Sequence, residues 1–352
     1  MDGHLDNKQI TQVSYKVLKD VLVDGIKAKL VTLVTGSPGV GKSAMVQAVA
    51  DHLNLKLIDK RLGEEDPTGL QGYPTIIDGR SSYAPPDWLP LEGDALPINP
   101  LTNKPYAGWL LFLDEFTSAA KAVQTAAFKI LHDRKVGLKN IHKNVAIVCA
   151  GNKDTDNAFV EEMSTAMQSR LCHVELVMNV KDWLEYAEDA KFDYRVISYL
   201  NFRPNELYNF NPNHNDKTFR CPRTWEFVSR IMQKASEETR KILIAGCITQ
   251  AGAIQFDAYL QCYGNLPKLE DILAHPTTTN VPQDLSTLWA LSGSLAVHAT
   301  PENIGTMIQY IRRMKKEFQI VTLRQARKYK PALEQQKPVI EWGLELGDEF
   351  FR

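Results

Sequence analysis

The sequence is poor in cysteine and carries almost no net charge. Its 352 residues include five cysteines, and no two of them form a C-x-x-C pair. Single scattered cysteines are typical of reduced thiols, and without metal-ligand spacing they argue against a structural zinc site. The formal net charge of −1 gives no overall field that would draw the chain to nucleic acid or to a membrane surface.

Long apolar runs are also missing. No stretch of the sequence approaches the roughly 18 apolar residues that a membrane-spanning helix needs, and the first eight residues are polar, unlike a secretory signal peptide. These absences, together with the scattered cysteines, lead us to expect a cytoplasmic protein. A hydrophobic fraction of 44% and a charged fraction of 24% are ordinary for a globular chain, whose length suits two domains.

A glycine-rich motif is the most informative feature that is present. Residues 36–43 read G-S-P-G-V-G-K-S, which is a G-x-x-x-x-G-K-S phosphate loop between the β-branched run of residues 30–34 and a helical pattern. Glycines permit left-handed backbone angles, so that consecutive N–H groups can face phosphate oxygens. The following helix adds its N-terminal dipole. The motif predicts a site for a nucleoside triphosphate.

Within this loop, Lys42 is expected to contact the β- and γ-phosphates, and Ser43 to give its hydroxyl to Mg²⁺. The residues predicted to contact the nucleotide are Gly36, Ser37, Pro38, Gly39, Val40, Gly41, Lys42, Ser43 and Ala44.

Two carboxylates end the apolar run of residues 108–113. Asp114 is expected to hold Mg²⁺, directly or through water, and Glu115 to polarise the attacking water. The alternative is an acidic helix cap, because Thr117 and Ser118 open a helix directly afterwards. The phosphate loop upstream favours the nucleotide site.

A polar amide follows the next apolar run, residues 144–150. Asn152 comes where doubly wound sheets bind their ligands, and it is expected to orient the hydrolytic water between the phosphate and Glu115. This segment would recognise guanine if it carried an N-K-x-D motif. Thr155 stands where the aspartate of that motif belongs, which argues against guanine specificity.

The patterns predict an α/β domain followed by helical parts. We expect an α/β domain over residues 1–179 with a β-hairpin insert at about residues 66–90, a helical lid over 180–265 and a C-terminal helical extension over 266–352. Helices are predicted at residues 8–29, 119–132, 161–170 and 238–251.

With these motifs in place, residues 10–250 resemble the MoxR-type branch of the AAA+ ATPases. The phosphate loop matches Walker A, residues 110–115 match Walker B with its catalytic glutamate, and Asn152 matches sensor 1. The resemblance implies a P-loop AAA+ parallel sheet sandwiched by helices, with a helical lid. It also implies hydrolysis of ATP with Mg²⁺, assembly into homo-hexamers, remodelling of a protein client and, often, a von Willebrand A-domain partner.

The resemblance assigns roles to two arginines. The segment A-M-Q-S-R-L looks like the family's Ser/Asp-Arg-Phe element, which makes Arg170 the finger in the neighbouring subunit's site, although Leu171 replaces the usual aromatic. The segment C-P-R-T looks like the Ser-Pro-Arg element at a lid helix, which makes Arg223 the sensor 2 candidate, although Cys221 replaces the serine. The alternatives are a helix-end cation for Arg170 and a solvated first-turn arginine for Arg223.

Three functions stay open at this stage. In a remodelling chaperone, Tyr83 and Trp88 of the insert grip a client in a central pore, or else they only pack the insert on its base. In a DNA-associated motor or loader, the basic stretch of residues 310–330 contacts phosphates, although its cations equally suit a solvated helix face. The third is a nucleotide-dependent switch without remodelling. Arg134 is a further candidate for a contact in the neighbouring subunit, with a solvated loop end as its alternative.

Overall fold

The computed structural model describes residues 10–156, 161, 163–213 and 215–347. These residues divide into two compact units. An α/β unit consists of the described residues up to Asn179 together with Asn211–Asn213, and a helical unit consists of Val180–Phe210 and the described residues beyond 214. The expected limit between residues 265 and 266, and the roles attached to the domains, stay predictions.

The α/β unit alternates strands with helices. Its strands are β1 (Thr11–Val13), β2 (Thr32–Thr35), β3 (Leu55–Arg61), β4 (Tyr73–Ile77), β5 (Arg80–Ala84), β6 (Ile98–Asn99), β7 (Lys104–Pro105), β8 (Gly108–Asp114), β9 (Lys135–Val136), β10 (Lys139–Asn140), β11 (Val145–Gly151) and β12 (Cys172–Leu176). Its helices are α1 (Tyr15–Lys27), α2 (Lys42–His52), α3 (Pro67–Gln71), α4 (Lys121–Phe128) and α5 (Thr165–Gln168).

In the described chain, six of these strands form one parallel sheet in the order β1-β12-β2-β11-β8-β3. Strands β2, β8 and β11 are buried along nearly their whole length, as their unbroken apolar runs predict for central parallel strands covered by helices. The carboxyl ends of these parallel strands lie side by side at one end of the sheet, which we call its carboxyl edge. The amino ends lie at the opposite end, the amino edge. The predicted fold class, a parallel P-loop sheet flanked by helices and followed by further helices, is confirmed.

Short hairpins extend from this sheet. Strands β4 and β5 pair across the Asp78-Gly79 turn, where both residues have positive φ (51° and 72°), as the predicted two-residue hairpin requires. Strands β9 and β10 pair across Gly137 and Leu138. The pairing β6 with β7 makes a third two-stranded element in the described part of the chain.

Several predicted helices differ from the structure. Residues 11–13 are strand β1, which pairs with β12 through the register Thr11↔Val174, so a long-range contact overrides the helical pattern and helix α1 begins after it. The helix predicted at 119–132 is α-helical only in α4 and continues as a π-helical turn, Lys129–Asp133. Of the helix predicted at 161–170, Thr165–Gln168 is helical, and residue 162 lies outside the described residues.

The helical unit packs around its own core. Its helices are α6 (Val180–Asp189), α7 (Tyr194–Phe202), α8 (Pro222–Lys234), α9 (Glu237–Ile248), α10 (Gln250–Leu260), α11 (Leu269–Ala274), α12 (Leu285–His298), α13 (Ile304–Ile311), α14 (Lys316–Tyr329) and α15 (Lys337–Leu346). The single helix predicted at 238–251 is two helices, because Thr249 has a φ of 70° and interrupts the pattern. No helix in the described chain has the length and apolar character needed to cross a membrane.

Candidate nucleotide site

The phosphate loop has the backbone geometry that its glycines predict. Gly39 and Gly41 have positive φ angles of 76° and 102°, and Gly41 is the residue before helix α2. A side chain would also lack space here, because a Cβ atom on Gly36 would lie 3.0 Å from the carbonyl oxygen of Leu176. The loop thus has the close, left-handed turns that let backbone N–H groups surround an anion.

Lys42 reaches back over this loop. Its Nζ donates to the carbonyl oxygens of Gly36 at 2.5 Å and Ser37 at 3.3 Å, and to Oδ1 of Asn152 at 3.2 Å. The structure therefore brings together two predicted site residues that are 110 positions apart in the chain. All three acceptors are neutral, so a phosphate group is a stronger partner for this ammonium.

Ser43 and Asp114 meet in the same place. The Ser43 hydroxyl donates to Oδ2 of Asp114 at 3.0 Å, while Oδ1 of Asp114 accepts from the N–H of Glu115 at 2.8 Å. These oxygen groups fit Mg²⁺, which is commonly held by one or two carboxylates and completed by phosphates and water. The described residues contain no group of three or more His, Cys, Asp or Glu side chains placed to hold a metal by themselves.

Glu115 is half-buried at the carboxyl end of β8, in a left-handed conformation with a φ of 56°. Asp59 lies on the neighbouring strand β3, and sequence analysis did not identify it. Burial, together with the negative charge of Asp114, raises the pKa of the Asp59 carboxyl. The carboxyl edge is thus already rich in negative charge, and a bound cation is favourable there.

Thr117 holds Asn152 in place. Its hydroxyl accepts from the Asn152 N–H at 3.0 Å and donates to the Asn152 carbonyl oxygen at 3.2 Å. A Cβ atom on Gly151 would lie 2.4 Å from Thr117 Oγ1, so the strand end must be glycine for this contact. Thr117 appeared in the sequence only as a helix-opening residue, because nothing local indicates which distant loop it will contact.

A second unforeseen contact lies at the start of the phosphate loop. The Ser37 hydroxyl donates to Oδ1 of Asp156 at 3.2 Å, and Asp156 is 9% exposed. The loop after Asn152 is thereby tied to the phosphate loop at Ser37 as well as at Lys42.

Arg170 lies at the opposite edge of the sheet. Strand β12 runs parallel to β2 with Cys172 opposite Thr32, so Arg170 is level with residue 30, at the amino edge. At a rise of about 3.3 Å per residue, Gly36 is about 20 Å farther along the strand direction. The exposed Arg170 donates to the carbonyl oxygen of Ala166 at 2.6 Å, and its guanidinium lies 4.8 Å from the centre of the Phe128 ring.

The other two arginines differ in exposure. Arg134 is not a solvated loop end: it is half-buried, its guanidinium donates to the Val145 carbonyl oxygen, and burial lowers its pKa. The cause is the packing of the turn after α4 against the start of β11. Arg223 is exposed in the first turn of α8, within the helical unit, where Cys221 precedes the helix and the Cys221 N–H donates to Thr224 Oγ1 at 2.9 Å.

Most cationic side chains of the basic stretch form hydrogen bonds or ion pairs with other residues of the helical unit. Arg312 forms two 2.8 Å contacts with Glu345, and Arg313 donates to the carbonyl oxygens of Pro276 and Thr279. The stretch contributes aromatic rings to the core rather than to a surface, since Tyr310 and Phe318 are buried. Lys328 contacts Glu188 and Asp189, at 3.2 Å and 3.1 Å.

The insert shows two different surfaces. Trp88 packs against the core of the α/β unit, with Lys60 Nζ 5.0 Å from its ring centre. Tyr83, in contrast, is 48% exposed. It lies close to Gly137 in the turn between β9 and β10, because a Cβ atom built on Gly137 would be 3.1 Å from Tyr83 Cβ. The β4–β5 hairpin therefore touches the β9–β10 hairpin.

Comparison with solved structures gives matches of low sequence identity, including the following three. A point mutant of RuvB from Thermotoga maritima matches with 14% identity and a TM-score of 0.40 over 80% of each chain. A chain from Cytophaga hutchinsonii provisionally described as an ATPase matches with 15% identity and a TM-score of 0.36; the alignment covers 64% of the present chain and 61%, less than two thirds, of that one. NtrX from Brucella abortus in complex with ADP matches with 13% identity and a TM-score of 0.34, over 94% of this chain and 68% of that one.

No curated protein matches the chain. A protein-family model described as AAA domain (dynein-related subfamily) matches residues 31–171, which run from strand β2 to the residue before β12. This range contains the phosphate loop, Asp114, Glu115, Asn152 and Arg170. Residues 31–171 thus match the AAA domain family, and the α/β unit that contains them has the P-loop AAA+ fold.

Proposed function

We propose that this chain is an ATP-hydrolysing AAA+ enzyme of the MoxR type, which assembles into a ring of six subunits and remodels a protein client. The observation that supports this most directly is the meeting of Lys42, Ser43, Asp114 and Asn152 at one edge of the sheet, with side-chain contacts of 3.0 Å and 3.2 Å.

In the proposed reaction, the phosphate loop binds the triphosphate through its N–H groups. Lys42 leaves the carbonyl oxygens of the loop and contacts the β- and γ-phosphates. Ser43 and Asp114 hold Mg²⁺, which neutralises charge on the phosphate oxygens when it is bound. Glu115 accepts a proton from the attacking water, and the Asn152 amide orients that water towards the γ-phosphate.

The position of Arg170 supports a role in the neighbouring subunit. An arginine that lies about 20 Å from its own phosphate loop along the strand direction cannot contact its own γ-phosphate. A planar guanidinium can still stabilise the transition-state charge in a site that the next subunit presents to it. Arg223 acts in the same subunit as sensor 2, and this assignment rests on the resemblance of its helix start alone.

The client contacts the paired hairpins in this proposal. Ile76 and Ile77 on β4 are 78% and 55% exposed, and Leu138 in the β9–β10 turn is 86% exposed. Large apolar side chains that are exposed on two hairpins suit transient contact with an apolar client segment. Trp88, which packs against the core, has no part in this contact.

Two further points belong to the proposal. A von Willebrand A-domain partner follows from the resemblance only. A cytoplasmic location is supported by the cysteines, since all five are free thiols and reduced cysteine is typical of that compartment.

The first experiment measures mass in solution by light scattering, with and without ATP and Mg²⁺, for the wild type and for Glu115→Gln. We expect a nucleotide-dependent assembly of about six subunits, and Glu115→Gln is expected to assemble but to hydrolyse ATP about 10²–10⁴-fold more slowly, because it lacks the general base. Wild-type hydrolysis rates in Glu115→Gln would remove Glu115 from the mechanism, and a monomer under all conditions would contradict the ring.

The same assay separates the other functions. DNA-stimulated hydrolysis with a steep salt dependence would indicate the motor or loader, which the internal pairing of the basic stretch does not support. Slow hydrolysis without stimulation, with tightly retained nucleotide, would indicate a switch.

A further inference from the structure

The side chain of Glu115 lies against a turn that follows strand β3. A Cβ atom on Gly63 would be 2.5 Å from Oε2 of Glu115, 3.6 Å from its Cβ and 3.7 Å from its Cδ. Cβ atoms essentially never come within 3.0 Å of another heavy atom in this way. The carboxylate therefore occupies space that is available only because residue 63 is glycine.

The sheet explains why these two residues meet. Strand β3 runs parallel to β8 with Arg61 opposite Asp114, so the chain leaves both strands at the same level. The 3₁₀ turn Leu62–Glu64 then lies beside the residue that follows Asp114. Gly63 and Glu115 are 52 positions apart in the sequence, and this register alone brings them together.

The turn that contains Gly63 is firmly held. Leu62 is completely buried in the core of the α/β unit. Lys60 and Glu65 form an ion pair of 2.5 Å across the turn, with both side chains mostly buried. The Glu65 N–H donates to the carbonyl oxygen of Leu62 at 3.3 Å. The backbone of Gly63 is thus a fixed surface rather than a loose one.

The carboxylate of Glu115 has no comparable polar restraint. Its backbone is fixed on both sides, since its N–H donates to Asp114 Oδ1 at 2.8 Å and its carbonyl oxygen accepts from the Ser118 N–H at 3.0 Å. Among the residues that the structure describes, however, none forms a hydrogen bond or ion pair with the carboxylate itself. The turn at Gly63 limits the directions in which the carboxylate can point, because Oε2 lies where a Cβ atom of residue 63 would be.

We propose that Gly63 is a positioning residue for ATP hydrolysis: by lacking a side chain, it sets where the carboxylate of Glu115 points. This inference rests on the proposed function. A carboxylate without a polar partner keeps its oxygens available to accept a proton from water, and the fixed turn replaces the hydrogen bonds that would otherwise aim it. The direction of the Glu115 carboxylate is therefore expected to change when a single methyl group is added at residue 63.

The test is Gly63→Ala. Gly63 does not have a positive φ, so alanine suits its backbone, and the carboxylate at the end of a flexible side chain is the group that must move. We expect kcat for ATP hydrolysis to fall about 10–100-fold, as for a misplacement of up to about 1 Å, while the Kd for ATP and the Tm stay at wild-type values. Gly246→Ala is the control, because its Cβ atom would meet nothing within 4 Å.

A second background separates positioning from a general effect on the fold. Glu115→Asp withdraws the carboxylate by one methylene group, away from residue 63. Gly63→Ala is therefore expected to lower kcat less than about twofold further in that background, as contacting residues are not additive. A crystal structure of Gly63→Ala is expected to show the Glu115 carboxylate displaced.

Each outcome decides the proposal. A wild-type kcat for Gly63→Ala, or full additional loss in the Glu115→Asp background, overturns it. If the wild type hydrolyses no ATP, the proposed function fails, and the crystal structure still decides the inference: a Glu115 carboxylate that stays in place beside Ala at position 63 overturns it, and a displaced one supports the geometric role.

Discussion

The two edges of the parallel sheet are built in different ways. At the carboxyl edge, Lys42 contacts Asn152 and Ser43 contacts Asp114. Thr117 fixes Asn152 by a further hydrogen bond. At the amino edge, Arg170 is exposed, and among the described residues it contacts the carbonyl oxygen of Ala166 and the face of the Phe128 ring. One edge holds side chains that bond to each other, whereas the other presents an exposed cation.

In the ring that we propose, this difference gives each subunit control over the chemistry of its neighbour. The residues that bind phosphate gain from being preorganised, because contacts made before the reaction cost nothing during it. A cation that completes the site gains from being held weakly, because a phosphate on a neighbouring subunit can then replace the carbonyl oxygen and the ring. The comparison predicts that the two edges belong to different subunits of the active assembly.

The largest expected effect is the loss of Arg170. If Arg170 is the proposed finger, Arg170→Ala is expected to slow hydrolysis about 10³–10⁵-fold, the range known for arginine fingers. Lys42→Ala is expected to abolish nucleotide binding. Mixing the two inactive variants restores activity, because a Lys42→Ala subunit still provides Arg170 to an intact phosphate loop next to it. In a closed ring mixed at random 1:1, about half of the subunits keep Lys42, and about half of their neighbours keep Arg170. About a quarter of the interfaces therefore have both residues, and about a quarter of wild-type activity is expected.

The control for this mixing experiment is Arg230→Ala, an exposed arginine of α8 paired with Glu226 at 3.4 Å. It is expected to leave hydrolysis unchanged, alone or mixed. If the mixture of Arg170→Ala and Lys42→Ala forms mixed rings and still stays inactive, the two edges do not act on one another, and the comparison between them fails.

A smaller effect is expected within the carboxyl edge. Thr117→Val keeps the shape of the buried side chain but removes both hydrogen bonds to Asn152, so the amide loses its fixed position. We expect kcat to fall about tenfold with little change in ATP affinity, since an oriented water is lost rather than a phosphate contact. Thr125→Val is the control, because it removes an exposed hydroxyl that donates to the Lys121 carbonyl oxygen within helix α4. Wild-type kcat for Thr117→Val would show that Asn152 is positioned without this hydroxyl.

The sequence predicts residues that are placed by their own strand, but it does not predict contacts between distant parts of the chain. The phosphate loop, Asp114 with Glu115, and Asn152 are each contiguous with the strand that places them, so local patterns were enough to predict them. Thr117 and Gly63 contact residues 35 and 52 positions away, and these pairs depend on the order and register of the strands. Strand β1 was mistaken for helix for the same reason: three residues become a strand only by pairing with β12.

The smallest expected effect concerns the charge at the carboxyl edge. Burial of Asp59 and the charge of Asp114 raise the pKa of the Asp59 carboxyl in the folded protein, and Arg61 opposes this only in part. The folded state therefore binds this proton more tightly than the unfolded state, so ionised Asp59 lowers stability above the folded pKa, and the penalty disappears below about pH 4. Without nucleotide, Asp59→Asn is expected to raise Tm at pH 7, by no more than about 2 °C for an exposed group, and the gain should vanish as the pH falls to about 4. Asp78→Asn in the β4–β5 turn is the matched exposed control. If the rise in Tm of Asp59→Asn persists at low pH, Asp59 destabilises the protein through its packing rather than its charge. Charge repulsion at the carboxyl edge would then not explain the effect.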